Sequence, residues 1–220
     1  MNQNNNIHLG IAIDQNYVTL FYVLLTSVFY NNKKNKITVH IIATGVDEVE
    51  RNKMAQFVKE QNGEILFYDF DPNKASDLYL KKHLTVACYY RLYLPALVPP
   101  EIDRLLYLDT DIVIIGDLLD LYKTDFKGLP AAIVNYPAAE AKPELNIEKP
   151  GDYFNSGVML MNLSEWKSQH ISERAIEFVQ QNPEKCKLSD QDGLNAVLVG
   201  NYLKLPLKYN VTLSDIPYEL

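Results

Sequence analysis

The sequence is short of positive charge: 21 lysines and arginines stand against 28 aspartates and glutamates, a net charge of −7. Nucleic-acid binders ordinarily carry a basic face, so this deficit argues against that class. It leaves room for an anionic small ligand, because a metal ion or a few local cations can offset the field of the whole molecule. Cysteine is scarce as well. Cys88 and Cys186 are the only two, far apart and without metal-binding or redox spacing. They read as buried free thiols, which suit a reducing cytoplasm. The apolar stretch at residues 17–30 is too short to span a bilayer and contains Thr19, Thr26 and Ser27. Residues 1–6 form a polar Asn/Gln run with neither the charged nor the apolar region of a secretory signal. No internal repeat is visible. The expectation is a cytoplasmic protein without a membrane-spanning segment.

What is present suits one globular domain: 220 residues with 47% hydrophobic content, enough to bury a real core. Residues 7–13 are a short apolar run ending in Asp14 and predict a buried strand. A helix is expected over 17–31, a β-branched strand over 37–42, a helix over 46–61 stopped by Gly63, and a strand over 64–68. That alternation predicts βαβ units and an α/β fold with a central, mostly parallel sheet flanked by helices. Further along, a helix is expected over 85–94, stopped by Pro95 and again by Pro99-Pro100. Strands are expected over 104–108, 131–135 and 158–162, and late helices over 172–181 and 190–199. Residues 112–115 continue as a second apolar run, and residues 138–151 form a polar loop suited to a mobile flap.

Ligands of open α/β sheets bind at the carboxyl ends of parallel strands, where Asp14, Asp69, Asp71, Asp109 and Asp111 fall. Carboxylates at i and i+2 of an extended segment point to one side and can share a hard cation that bridges a diphosphate. The spacing occurs three times: Asp69-Phe70-Asp71, Asp109-Thr110-Asp111 and Asp190-Gln191-Asp192. The first is followed by Pro72 and fits a strand-to-turn junction. The third follows Ser189 at a helix start, where capping would explain Asp190. Asp109 and Asp111 lie between two apolar runs, which predicts a central, largely buried strand whose carboxylates need a cation.

The ordered blocks resemble glycosyltransferase family 8, the retaining enzymes that include bacterial lipopolysaccharide galactosyl- and glucosyltransferases and glycogenin. The resemblance runs over residues 7–210 and implies a Rossmann-like fold of the GT-A type. Ala12-Ile13-Asp14-Gln15-Asn16-Tyr17 is similar to the family's nucleotide-binding strand end. By that likeness Asp14 contacts the uracil, while Ala12, Asn16 and Tyr17 shape the base and ribose pocket. Tyr90-Arg91-Leu92 resembles the segment whose arginine reaches the donor sugar and phosphates. Leu106-Tyr107-Leu108-Asp109-Thr110-Asp111 resembles the block whose two aspartates bind Mn²⁺, with Mg²⁺ an alternative. Tyr153-Phe154-Asn155-Ser156-Gly157-Val158 is similar to the stretch lining the donor-sugar pocket. Asp190-Gln191-Asp192-Gly193-Leu194-Asn195 is similar to a helix start where Asp190 holds sugar hydroxyls and Gln191 lies near the anomeric carbon. The resemblance thus implies metal-dependent, retaining transfer of galactose or glucose from a UDP-sugar to a saccharide or glycolipid acceptor. Cell-surface polysaccharide or lipopolysaccharide synthesis is the expected setting, with Arg91, Asp190 and Gln191 as the catalytic candidates.

The sequence departs from the family at its end. A His-x-x-Gly-x-x-Lys-Pro-Trp motif, whose histidine is the third metal ligand, is absent, as is the basic membrane-associating tail of some relatives. The expectation is a single domain, residues 1–220, lacking the family's C-terminal segment, with peripheral contact at the inner membrane face depending on that tail. Alternative readings stay open residue by residue: Tyr17 as a core aromatic, Arg91 as a surface ion pair, Asn155 and Gly157 as a turn, His83 as incidental. Two alternatives stand for the whole chain: a nucleotide-sugar binder without turnover, and a haloacid-dehalogenase-type phosphatase using Asp109 as nucleophile.

Overall fold

The computed structural model describes residues 5–71, 73 and 86–212. His83 lies outside the described residues. Seven strands form one sheet in the order β3-β2-β1-β4-β6-β5-β7. β1 (Asn6–Asp14) pairs in parallel with β2 (Lys36–Thr44) and β4 (Arg104–Leu108), and β2 with β3 (Glu64–Tyr68). β6 (Phe154–Asn162) runs antiparallel between β4 and β5 (Ala131–Asn135), and β7 (Leu203–Lys204) lies parallel to β5. The sheet is therefore mostly parallel, as the alternation of elements predicts.

Strand periodicity divides the core between the two faces. Ile7, Leu9, Ile11 and Ile13 of β1 and Ile37, Val39, Ile41 and Ala43 of β2 pack with α1 (Val18–Asn31) and α2 (Glu48–Glu60). On the opposite face Ile42, Leu105 and Tyr107 pack with α3 (Tyr90–Leu97), α5 (Leu163–Ser168), α6 (Ile171–Gln181) and α7 (Asp190–Leu198). Gly10 is needed here, because a Cβ on it would come 2.9 Å from side-chain atoms of both Leu94 and Leu105. α2 begins on Asp47, whose carboxylate accepts from the Glu50 amide, an N-cap that fixes its start.

Four expectations are corrected. Pro95 does not stop the helix at residue 94. Residues Val86–Tyr89 form a 3-10 turn, and α3 continues through Pro95 to Leu97. The ring forfeits one backbone bond, and the Val98 amide still closes on the Leu94 carbonyl. Residues 112–115 are not a buried strand. After Leu108 the chain leaves the sheet as an extended strap along α1, tied by Ile114 N to Ser27 Oγ and by Asn31 Nδ2 to the Ile114 carbonyl. Ile112 and Ile114 face the core, while Val113 and Ile115 are 62% and 90% exposed. Residues 155–157 belong to β6 and are not a turn before it. The loop at 138–151 is pinned and does not hang free as a flap: Leu145 and Ile147 are buried with Tyr153, and Lys142 bridges Ile147. The short α4 (Leu119–Tyr122), α5 and β7 carry no signal that the sequence pattern revealed.

On the face opposite α1, a hydrogen-bonded chain crosses β1, β2 and β3: Asn6 Nδ2 to His8 Nε2, His8 Nδ1 to His40 Nε2, and His40 Nδ1 to the Tyr68 hydroxyl. Asn6 Oδ1 accepts from Thr38, so its amide nitrogen faces His8, and both rings fit a neutral tautomer protonated at Nδ1. Burial, then the neighbouring His8, pushes His40 down to about 4 from its ordinary 6.5. The folded value is depressed, so stability is full above 6.5 and falls as pH drops towards 4, because the unfolded chain takes up a proton that the folded one refuses. Urea unfolding at pH 7 and pH 4.5 should differ by about 2–3 kcal/mol from this ring. His40→Gln should flatten that slope, and an unchanged slope would show that His40 is not its source.

Candidate active site

The carboxyl ends of β1 and β4 enclose a cleft of about 220 Å³ lined by Ala12, Tyr17, Ala87, Cys88, Arg91, Tyr107, Asp109, Thr110 and Asp111. β1 delivers Ala12. Asp14 then accepts from the Asn16 amide at 2.8 Å and so caps the 3-10 turn Gln15–Tyr17, which carries Tyr17 to the cleft. Tyr17 is 40% exposed, a cleft wall and not a core aromatic. Asp14 and Asn16 stand outside the lining itself, and Asn16 is exposed.

Arg91 is buried, not a surface residue, and joins the two motif carboxylates. Its Nη2 donates to Asp109 Oδ1 at 2.8 Å, its Nε lies 2.9 Å from Asp190 Oδ2, and its Nη1 donates to the Ser156 carbonyl and hydroxyl, each at 2.9 Å. Nε also reaches the Cys88 carbonyl at 3.1 Å. The Tyr107 ring lies beneath the guanidinium at 4.8 Å, and its hydroxyl donates to Asp109 Oδ1 at 3.1 Å. Burial works against the cation, but Asp109 and Asp190 outweigh it and hold the guanidinium above its usual range. Asp190 shows the reverse balance: burial pushes its carboxyl up to about 6, Arg91 pulls it down, and Asp109 pushes it up again. Burial, with Asp190 next, pushes the Cys88 thiol well up, so it stays a thiol and not a nucleophilic thiolate.

The blocks at residues 153–158 and 190–195 meet at a dislocation in the sheet. Ile133 of β5 pairs with Met159 and Asn135 with Phe154, so Val134 alone lies opposite residues 155–158 of β6. This irregularity turns Asn155, Ser156 and Gly157 towards Asp109. The Asp109 amide donates to the Gly157 carbonyl at 2.8 Å. A Cβ on Gly157 would lie 2.9 Å from Asn155 Oδ1 and 3.0 Å from Asp109 Oδ2, which is why glycine stands there. Asn155 Oδ1 accepts from the Gly157 amide at 2.8 Å and from Asn210 Nδ2 at 3.0 Å.

α7 starts at Asp190 without a side-chain cap, so capping does not explain that aspartate. Ser189 just before it is buried at φ 50°, ψ −115°, a strained conformation for a non-glycine residue that aims Asp190 at Arg91. Asn195 clamps the helix to β6, accepting from the Phe154 amide and donating to its carbonyl. Gly193 permits the approach of α6, since a Cβ there would meet Val179 Cγ2 at 2.7 Å. Gln191 Oε1 accepts from the Ser156 amide at 3.0 Å, and its Nε2 donates to the Tyr153 hydroxyl at 2.9 Å.

Of the three Asp-x-Asp pairs, the first is the turn expected of it. Asp69 is exposed and pairs loosely with Arg51 at 3.4 Å, and Asp71 accepts from the Asn73 amide. Asp109 and Asp111 border the cleft, but they are not both buried. The Asp109 side chain is 31% exposed, and Asp111 is exposed with no hydrogen bond or ion pair among the described residues. Asp111 and the uncommitted Oδ2 of Asp109 could together hold a hard cation. Among the described residues no group of three or more His, Cys, Asp or Glu side chains is placed to hold one. Tyr107, Tyr153 and Asn210 are site partners with no role assigned from sequence, and Asp192 stood out only as half of an Asp-x-Asp pair. Tyr107 bonds Asp109 within its own block, while the Tyr153–Asp192 and Asn155–Asn210 bonds join segments far apart in the chain, a relation that linear spacing does not show.

Comparison with known proteins defines the class. The model of glycosyl transferase family 8 matches residues 8–217. This chain belongs to glycosyl transferase family 8. It is 28% identical to general stress protein A of Bacillus subtilis (strain 168), over 96% of this chain and 75% of that protein. It is 30% identical to the lipopolysaccharide 1,2-glucosyltransferase of Escherichia coli (strain K12), over 100% of this chain and 66% of that one. The lipopolysaccharide 1,3-galactosyltransferase of Salmonella typhimurium (strain LT2) is 28% identical over 98% of this chain, again spanning 66% of the relative. The structure of the galactosyltransferase LgtC with donor and acceptor sugar analogs superposes with a TM-score of 0.84 at 26% identity, covering 92% of this chain and 74% of that one. The chain thus spans two thirds to three quarters of these relatives. None of the described helices is long and apolar enough to cross a membrane.

Proposed function

We propose that this chain transfers a hexose, glucose or galactose, from a UDP-sugar to a saccharide hydroxyl with retention at the anomeric carbon, in the synthesis of lipopolysaccharide or another cell-surface polysaccharide. One observation carries the reading: the Asp109 and Asp111 carboxylates border a cleft at the strand ends, directly beside the buried Arg91–Asp190 pair. Ala12 and Tyr17 form the wall for the base and ribose, with Asp14 and Asn16 on the same turn. Asp109, Thr110 and Asp111 face the diphosphate. Asn155, Ser156, Gly157, Asp190 and Gln191 form the sugar end.

Asp109 and Asp111 would hold Mn²⁺ or Mg²⁺, which supplies positive charge to the departing diphosphate. Arg91 and Tyr107 fix Asp109 so that one carboxylate oxygen stays turned to the cleft. Arg91 is spent on protein partners, so it acts on the site's charge through Asp109 and Asp190 more than by grasping phosphate. Retention is reached by same-face attack, with the acceptor proton passing to a diphosphate oxygen, because Gln191 is an amide and Asp190 is tied to Arg91. A sugar adduct trapped on Asp190 and seen by mass spectrometry would overturn that route. The phosphatase alternative is set aside by the family match.

The test is hydrolysis of a panel of UDP-sugars with and without Mn²⁺. Turnover of UDP-glucose or UDP-galactose that disappears on chelation and returns with Mn²⁺ is the expected result. Nucleotide binding with no turnover of any donor would favour the binding-only alternative.

A further inference from the structure

We propose that Tyr153 and Asp192 are positioning residues that set the Gln191 amide so that it offers the bound sugar an N–H and withholds its oxygen. The claim rests on the reading that Gln191 faces the donor sugar.

Two constraints from opposite sides decide the orientation. On one side stands the Ser156 backbone N–H, which can only donate and lies 3.0 Å from the Gln191 amide, so the atom facing it is oxygen. The Ser156 hydroxyl points at the same oxygen at 3.3 Å. Both lone pairs of Oε1 are therefore directed at protein donors. On the other side the Tyr153 hydroxyl lies 2.7 Å from Asp192 Oδ1. The phenol donates there, and its oxygen is left to accept from Gln191 Nε2 at 2.9 Å. Asp192 is itself fully buried and held: its Oδ2 accepts from the Leu188 amide at 2.6 Å, and Lys142 Nζ lies 3.5 Å from Oδ1 and 3.9 Å from the centre of the Tyr153 ring. The two assignments agree, which is what fixes an amide whose oxygen and nitrogen are otherwise interchangeable.

One amide hydrogen on Nε2 has no partner among the described residues. Gln191 is part-exposed, although the residues on either side of it are buried. A donor N–H on this side suits a hydroxyl or ring oxygen of a hexose. It also removes the amide oxygen from any covalent role. The line continues from Ser156 through Arg91 to Asp109, so the amide and the metal-side carboxylate are aligned by one connected set of bonds.

Tyr153→Phe deletes the acceptor for Nε2 and leaves Asp192 its Leu188 and Lys142 contacts. The kcat for UDP-glucose and UDP-galactose hydrolysis should fall ~10- to 100-fold, the usual effect of removing an outer partner of a reacting group. The Kd for UDP, which carries no hexose, should be nearly unchanged, because the deleted bond serves only the hexose end of the site. Asp192→Asn is nearly isosteric, yet it should fall at least as far. Its oxygen must turn to the Leu188 N–H, its NH2 then faces Tyr153, and the phenol can no longer accept from Gln191. The double variant should be no worse than the poorer single one, because both act through one amide. A readout free of turnover is the side-chain NH2 resonance pair of Gln191, identified by its loss in Gln191→Met, which should move in Tyr153→Phe. Wild-type kcat or unmoved NH2 resonances in Tyr153→Phe would sink the positioning claim alone. A wild type inert to every UDP-sugar would sink the functional reading, and with it the role given to the N–H.

Discussion

Asp109→Asn is expected to lower Mn²⁺-dependent turnover of a UDP-sugar by roughly 10³-fold, the scale seen when one directed electrostatic contact is removed from a reacting centre. The substitution keeps the shape. An asparagine oxygen can still accept from Arg91 and Tyr107, so the fold around β4 should survive. What disappears is the negative charge at the carboxylate oxygen of Asp109 turned to the cleft, leaving Asp111 as the one proposed carboxylate ligand. The metal requirement should go with the activity, so the variant's residual rate should be the same with Mn²⁺ as with chelator. A variant that retained both rate and metal response would place the cation elsewhere. Asp69→Asn is the natural control: that carboxylate is exposed, lies outside the cleft lining, and should leave turnover untouched.

The second large effect is on stability. Arg91→Met should destabilise the chain by about 3–5 kcal/mol, because it removes one partner of a buried pair and strands the other. Asp190 is 4% exposed, and the strained Ser189 backbone holds it in place. Without the guanidinium, the charge that pulls it down is gone, and the carboxyl should rise further and fold in its neutral form. Urea denaturation of Arg91→Met, Asp190→Asn and the double variant measures the coupling. The double variant should recover part of the loss, since neither charge is then left alone. A loss below ~1 kcal/mol for Arg91→Met would mean solvent reaches the pair and that it resembles a surface ion pair.

Much of the fold can be read from local pattern. β1, β2 and β3 are apolar or β-branched runs, and helices α1 and α2 lie between them, so periodicity and the stop at Gly63 suffice. The β4 bounds match the apolar run at 104–108 because Asp109 interrupts it. The strap at 112–115 misleads for a physical reason. It is as apolar as a strand, but half its side chains cover α1 and half face solvent, and composition does not separate that from burial on two faces. The start of β6 was hidden because Asn155, Ser156 and Gly157 are turn formers locally. Their strand geometry comes from the Asp109 amide across the sheet. The site shows the same division. Linear motifs identify Asp109, Asp111, Arg91 and Asp190 as candidates, but the bond that makes Arg91 common to both carboxylates is set by tertiary packing. Asp192 looks like half of a metal-binding pair in sequence. In the fold it turns away from its neighbour and holds Tyr153.

The reversed strand β6, set between β4 and β5, has a consequence for how such a protein can diversify. It divides the site between two lengths of chain that do not interleave: the cleft lining comes from residues 12–17 and 87–111, and the bonds around Ser156 and Gln191 beside it from residues 153–195. Under the assignment proposed here, the leaving nucleotide is read by the first length and the hexose by the second. Exchange of the second length between homologues would then alter the preferred sugar while leaving the preferred nucleotide in place. At the site the seam consists of Arg91 against Ser156 and Asp190, and the Asp109 amide against Gly157, and behind it the two lengths are joined by the β4–β6 ladder. Those residues, with the facing positions of β4 and β6, are the ones that any such exchange would have to keep matched.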